Sequence, residues 1–210
     1  MLPFDVILFD VGGVLLTNGW DTRERAQVLK NFDVDRAAFE ALHEQYYRLW
    51  DVGAISALQY LDATVFSEPR GFSHEEFFNA ICNLSIPLQN GALGILKELA
   101  ASDKCLLGAL NNEARETNEY RFETFGLRRY FKVSLSSCYL GLRKPDMAIF
   151  QRALDILGCA PERILFIDDR MENIAGAVRV EMRAILFEGE EKLRRELVER
   201  GVFTAPTVME

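Results

Sequence analysis

Apolar residues fall in short unbroken runs at the start and through the second half of the chain, and in helix-spaced steps elsewhere. Val6-Ile-Leu-Phe9 is continuous, is ended by Asp10 and is followed by Gly12-Gly13. Ile164-Leu-Phe-Ile167 repeats the pattern and ends in Asp168-Asp169. Unbroken runs, rather than alternating ones, predict strands covered on both faces. Leu106–Leu110, Val133–Leu135 and Ala184–Phe187 read as further strands. Ile149, Phe150, Ala153, Leu154 and Leu157 share one helical face, with Pro145 and Asp146 at its start and Gly158 as its stop. Leu93, Leu96 and Ala100 mark another helix. Strands alternating with helices predict an α/β architecture with a doubly wound parallel sheet.

Residues 17–88 break the alternation. Phe39, Leu42, Tyr46 and Leu49 step at helical spacing, and Ser73-His74-Glu75-Glu76 fits a capping box ahead of Phe77, Phe78 and Ile81. Three or four helices with no strand between them predict a small α-helical cap over 17–88, inserted into a core built from 1–16 and 89–210. Pro87 and Gly91 stand near that boundary.

Composition narrows the picture. A chain of 210 residues with 49% hydrophobic and 27% charged content can bury one core with an inserted lobe. A net charge of −8 argues against a nucleic-acid partner but allows a local cationic site for a phosphate. Cys82, Cys105, Cys138 and Cys159 form no C-x-x-C pair, so free thiols in a reducing compartment are expected. The N-terminal apolar stretch carries Asp5 and Asp10 and no basic flank, and no apolar run approaches the roughly 20 residues of a membrane span. A cytoplasmic protein with no membrane partner is the expectation. Oligomeric state is not legible.

An acid delivered by a buried strand to the edge of an open sheet is well placed for chemistry, because such sheets bind ligands beyond their strand ends. Two such strands, with Lys144-Pro145 between them in sequence, point to a hard-cation site that handles an anionic substrate.

Four segments stand in order: Phe9-Asp10-Val11-Gly12-Gly13-Val14-Leu15, Leu110-Asn111-Asn112, Gly141-Leu142-Arg143-Lys144-Pro145-Asp146 and Phe166-Ile167-Asp168-Asp169-Arg170-Met171-Glu172-Asn173. Together they resemble the four motifs of the haloacid dehalogenase superfamily, in its phosphatase-like branch, and the insertion resembles that superfamily's helical type-1 cap. The resemblance implies a Rossmann-like core and Mg²⁺-dependent removal of phosphate from a small phosphorylated substrate, such as a sugar phosphate, through an aspartyl-phosphate. It implies Asp10 as nucleophile and Lys144 as its charge-neutralising partner. It implies Mg²⁺ held by Asp10, Asp169 and the Gly12 backbone carbonyl, and phosphate contacts from Asn111, Asn112 and Gly13. Asp168 and Asn173 would support the site.

Two departures from the family pattern matter. Gly12 stands where most phosphatases of the superfamily carry a second aspartate that protonates the leaving oxygen and activates water. Asn111 stands where Ser or Thr is usual, though an amide N–H can donate the same bond. Glu113 and Asp21 are candidate stand-in acids. Two rival readings use the same chain: 2-haloacid dehalogenation by Asp10 without metal, and a weakened phospholigand- or partner-binding protein. Against the first, Gly12 replaces the aromatic residue of metal-free dehalogenases, and the Asp168-Asp169 pair, which those enzymes lack, is present. His43 and His74 fall in no motif and read as helix-surface or cap residues. Phe39, Tyr46, Tyr47 and Trp50 read as bundle core, and Trp20 as a residue facing substrate.

Overall fold

The computed structural model describes residues 2–204. Five parallel strands, β1 (Val6–Phe9), β2 (Leu106–Ala109), β3 (Val133–Ser134), β4 (Ile164–Asp168) and β5 (Arg183–Leu186), form one sheet. Their order is β3-β2-β1-β4-β5. The chain moves outward from β1 to one side and then returns to the other, so β1 and β4 flank the point where the order reverses. Phe9 pairs with Ala109 on one side and Ile167 on the other, which sends Asp10 and Asp168 to the same edge.

Both faces of the sheet are covered, the physical reason for its continuous apolar runs. Ile7, Phe9, Leu165 and Ile167 point into one layer with α5 (Leu93–Ser102), α6 (Arg115–Thr124) and α10 (Glu190–Glu199). Val6, Leu8, Ile164 and Phe166 point into the other with α7 (Ser137–Leu140), α8 (Met147–Leu157) and α9 (Met171–Arg179). Gly158 ends α8 in a left-handed conformation, as its position in the pattern predicts. Sequence and structure differ at strand ends by one residue. The hydrogen bonding nevertheless runs on there: Leu110, Leu135 and Phe187 donate their N–H groups to Phe9, Ala109 and Asp168.

Between β1 and α5 lie α1 (Thr22–Asn31), α2 (Arg36–Asp51), α3 (Ala57–Thr64) and α4 (His74–Cys82), with no strand among them. Both halves of the Ser73/Glu76 capping box are formed. These helices bury their own aromatic cluster. Trp50 stacks on Tyr60 at 4.4 Å, and Trp20 meets Phe39 and Phe77 edge-on. Two peptides join the insertion to the sheet side by side: Thr17 donates its N–H to the Ile86 carbonyl at 2.9 Å, and Leu88 to Leu15 at 3.1 Å.

His43 departs from the helix-surface expectation. It is buried, with Nδ1 2.7 Å from the Tyr60 hydroxyl, and burial followed by the nearby Arg25 charge pushes its pKa down to about 4. Phe39 and Tyr47, four residues to either side on α2, pack their rings on it at 5.6 and 4.7 Å, so its place on the aromatic face of α2 was legible in the spacing; the Tyr60 hydroxyl that partners it comes from α3. His74 sits at the exposed start of α4, 2.7 Å from Asp62. Among the described residues no helix is long and apolar enough to cross a membrane.

Candidate active site

β1 and β4 end side by side, and each hands an acid to the crevice beyond the sheet. Oxygens of Asp10, Asp168 and Asp169 lie within 4.8 Å of one another. Lys144 reaches them from the loop ahead of α8, buried to 1% exposure, with Nζ 3.0 Å from Asp10 Oδ2 and 2.5 Å from Asp168 Oδ2. Two hydrogen bonds fix its backbone: its N–H donates to Asn112 Oδ1 at 2.8 Å, and its carbonyl accepts from Asn112 Nδ2 at 2.9 Å.

Asp168 is held from several directions. Besides Lys144, it accepts the Arg170 N–H at 2.8 Å and Asn173 Nδ2 at 2.9 Å, the latter from the first turn of α9. Its lone pairs are spent within the protein. Asp169 differs: its buried Oδ1 has no hydrogen-bond partner among the described residues. Burial, then the neighbouring Asp168 carboxylate, raises the Asp169 pKa. Burial also raises that of Asp10, against the pull of Lys144 and with the push of Asp168 and Asp169. For Lys144, burial opposes the charge, but Asp10 and Asp168 outweigh it and hold the ammonium above the ordinary lysine range. Carboxylates crowded so that their charge is disfavoured, one oxygen of them unpartnered, make an all-oxygen donor set suited to a hard cation.

Gly13 contributes space. Its φ is +73°, and a Cβ there would lie 2.1 Å from Asp169 Oδ2. Its N–H is taken by the Leu16 carbonyl at 2.7 Å. Gly13→Ala is expected to push the Asp169 carboxylate aside and to strain the left-handed turn, costing about 1–3 kcal/mol of stability. Isothermal titration with Mg²⁺ should show weakened binding; unchanged affinity would break the link between this glycine and the cation.

Asn111 lies behind the wall rather than on it. Its Nδ2 donates to Asn118 Oδ1 at 3.0 Å and its Oδ1 accepts from the Ser136 hydroxyl at 2.7 Å. Asn112 and Gly12 do line the cavity, which has a volume of about 200 Å³. Trp20, Tyr47 and Trp50 of the helical insertion line it as well. Trp20 thus faces the cavity while its indole N–H donates to Tyr60 within the helical cluster, at 3.0 Å. Asp21 is the N-cap of α1, accepting the Thr22 N–H at 2.7 Å, and is not a cavity residue.

Sequence reasoning passed over Arg121 and Arg143, which also line the cavity. Arg143 lies 3.2 Å from Asp51, at the end of α2. Arg121 belongs to α6, whose buried side chains Thr117, Asn118, Arg121 and Phe122 are mostly polar. That polar stripe at helical spacing was the available signal; an apolar periodicity search does not see it.

Comparison with known proteins gives the family of the chain. Flavin mononucleotide hydrolase 1 of Arabidopsis thaliana is 33% identical over 76 residues, 36% of this chain and 31% of that protein. The chain spans under a third of the first curated relatives it matches. The pyrimidine 5'-nucleotidase YjjG of Escherichia coli is 29% identical over 185 residues, 82% of this chain and 80% of the relative. A haloacid dehalogenase family enzyme of Bacteroides thetaiotaomicron, solved with magnesium and inorganic phosphate, shares the fold. Its TM-score is 0.71 at 20% identity, covering 89% of this chain and 95% of that one. The model of the haloacid dehalogenase-like hydrolases matches residues 4–180, and the chain belongs to that family.

Proposed function

We propose that this hydrolase releases phosphate from a small phosphorylated metabolite, with Asp10 as nucleophile and Mg²⁺ as cofactor. The observation that carries this reading is the convergence of three carboxylates with oxygens within 4.8 Å of one another, Asp10 and Asp168 on the buried Lys144 ammonium and Asp169 with an unpartnered oxygen. Asp10, Asp169 and the Gly12 carbonyl would hold Mg²⁺, whose charge lets a phosphate dianion approach a carboxylate. Asp10 attacks phosphorus in line as the ester P–O bond breaks, and water later releases phosphate from the aspartyl-phosphate. Lys144 aims the Asp10 carboxylate and neutralises charge on the transferring group. Asn112 fixes Lys144, while Asp168 and Asn173 hold its far side.

Residues 17–88 act as the cap and 1–16 with 89–210 as the catalytic core, of which residues 1 and 205–210 lie outside the described residues. The cap's Trp20, Tyr47 and Trp50 exclude water and select the organic part of the substrate. Arg48, Arg121, Arg143, Lys144 and Arg170 line the cavity beside the acids Asp10, Glu113, Asp146 and Glu172, so an anion is best received there together with the cation that the carboxylates would hold. A volume of about 200 Å³ falls below the roughly 300–1,000 Å³ of sites for drug-sized ligands, which favours a short sugar phosphate over a nucleotide or flavin. The named activities of the Arabidopsis and Escherichia coli relatives support a phosphate ester as the substrate class. A metal-free dehalogenase has no use for the unpartnered Asp169 oxygen.

A panel of short sugar phosphates, nucleoside monophosphates and flavin mononucleotide tests the reading. Phosphate release should be fastest from the short esters, stop on chelation with EDTA and return with added Mg²⁺. Halide release from 2-chloropropionate without metal would overturn it, as would ligand-induced thermal stabilisation with no turnover of any ester.

A further inference from the structure

We propose that Glu113 carries out the proton transfers that a glycine at position 12 cannot; the inference rests on the phosphate-ester reading above. Hydrolysis through a phosphorylated carboxylate is helped by a group that protonates the departing alkoxide and later deprotonates water. A Cβ at residue 12 would lie 2.9 Å from Asn18 Oδ1 and 3.5 Å from Arg121 Nη1, so an acid there, once Asn18 gave way, would have this guanidinium within reach. In this chain the guanidinium is already taken: Arg121 Nη1 is 2.6 Å from Glu113 Oε2, with the two side chains 3% and 15% exposed. A carboxylate from the loop after β2 thus takes the counter-charge that one from the loop after β1 would have occupied.

Glu113 is held at the cavity wall. Thr117 Oγ1 donates to its Oε1 at 2.6 Å, and its own N–H donates to Ser137 Oγ at 2.9 Å. Arg121 is itself fixed by donating to Ser85 Oγ at 3.0 Å and to the Thr17 carbonyl at 3.3 Å. Gly12, Asp10, Arg121 and Glu113 line one cavity. The other cavity acids outside the carboxylate cluster, Asp146 and Glu172, are exposed to solvent.

The chemistry balances over one turnover. As Asp10 bonds to phosphorus and the ester P–O bond breaks, the Glu113 carboxylic acid gives its proton to the departing oxygen. As water bonds to phosphorus and the bond to Asp10 breaks, the Glu113 carboxylate takes a proton from that water. One ester and one water become one alcohol and one phosphate, and Glu113 ends as it began.

Glu113→Gln and Glu113→Asp separate this role from a structural one, because a nitrophenolate leaves without protonation and an alkoxide does not. With Gln at 113, kcat/KM for an alkyl phosphate should fall on the order of 10²–10⁴-fold while that for p-nitrophenyl phosphate changes little. Rapid mixing with p-nitrophenyl phosphate should show a burst of about one nitrophenolate per enzyme, since release of phosphate from Asp10 is also slowed. Glu113→Asp keeps the charge on Arg121 and should show the same leaving-group split if the Gln variant does not fold. Equal losses for both esters, or no loss for either, would overturn the proposal. A wild-type enzyme inert toward every ester would overturn the phosphatase reading instead.

Discussion

Asp10→Asn is expected to remove turnover while leaving the fold intact. Under the proposed mechanism this carboxylate forms the bond to phosphorus, and an amide oxygen is a far weaker nucleophile. Loss of such a group lowers kcat on the order of 10⁴–10⁶-fold. Stability should move little. Burial and two neighbouring acids already work against the Asp10 charge, so an isosteric neutral group relieves repulsion as it gives up one contact with Lys144. Lys144 keeps its shorter contact to Asp168. Steady-state kinetics beside a thermal melt checks both halves. Turnover within tenfold of wild type would remove Asp10 from the chemistry, and an unfolded variant would make it a structural acid.

Lys144→Met should cost both activity and stability. The methionine matches much of the lysine stem but takes away the cation between Asp10 and Asp168. Removing one partner of a buried ion pair costs about 3–5 kcal/mol, because the remaining charge has neither water nor a counter-ion. Urea titration should show the deficit directly. The deficit should be larger at pH 8 than at pH 5: the Asp10 pKa is already raised, and without Lys144 its carboxyl takes up a proton more readily as pH falls. Added Mg²⁺ should restore part of the stability by binding the native carboxylates. Equal stability of variant and wild type at both pH values would show that the Lys144 contacts contribute little.

The sheet was the most legible part of the chain. Strands buried on both faces must be apolar throughout, so β1 and β4 stand out as uninterrupted runs, and the acids that end them stand out equally. The helical insertion was legible for a related reason. An aromatic cluster buried on one side of several short helices forces apolar residues to recur at helical spacing, and Ser73 and Glu76 mark a helix start. What stayed hidden was polar. Arg121 and Asn118 are buried on a helix with little apolar periodicity, and Asn111, adjacent to Asn112 in sequence, turns away into their network. His43 takes its hydrogen-bond partner, Tyr60, from another helix.

Residue type and order thus decided the layers, the insertion and the acids at the strand ends, because burial on a fixed period leaves a one-dimensional trace. Tertiary structure alone decided which polar groups meet. Strand order sets β1 against β4, a loop carries Lys144 between their acids, and Arg121 comes to rest on Glu113 beside the bare backbone of Gly12. Contacts of that kind depend on distance and direction between segments remote in the chain, and a pattern of neighbours along the chain contains neither.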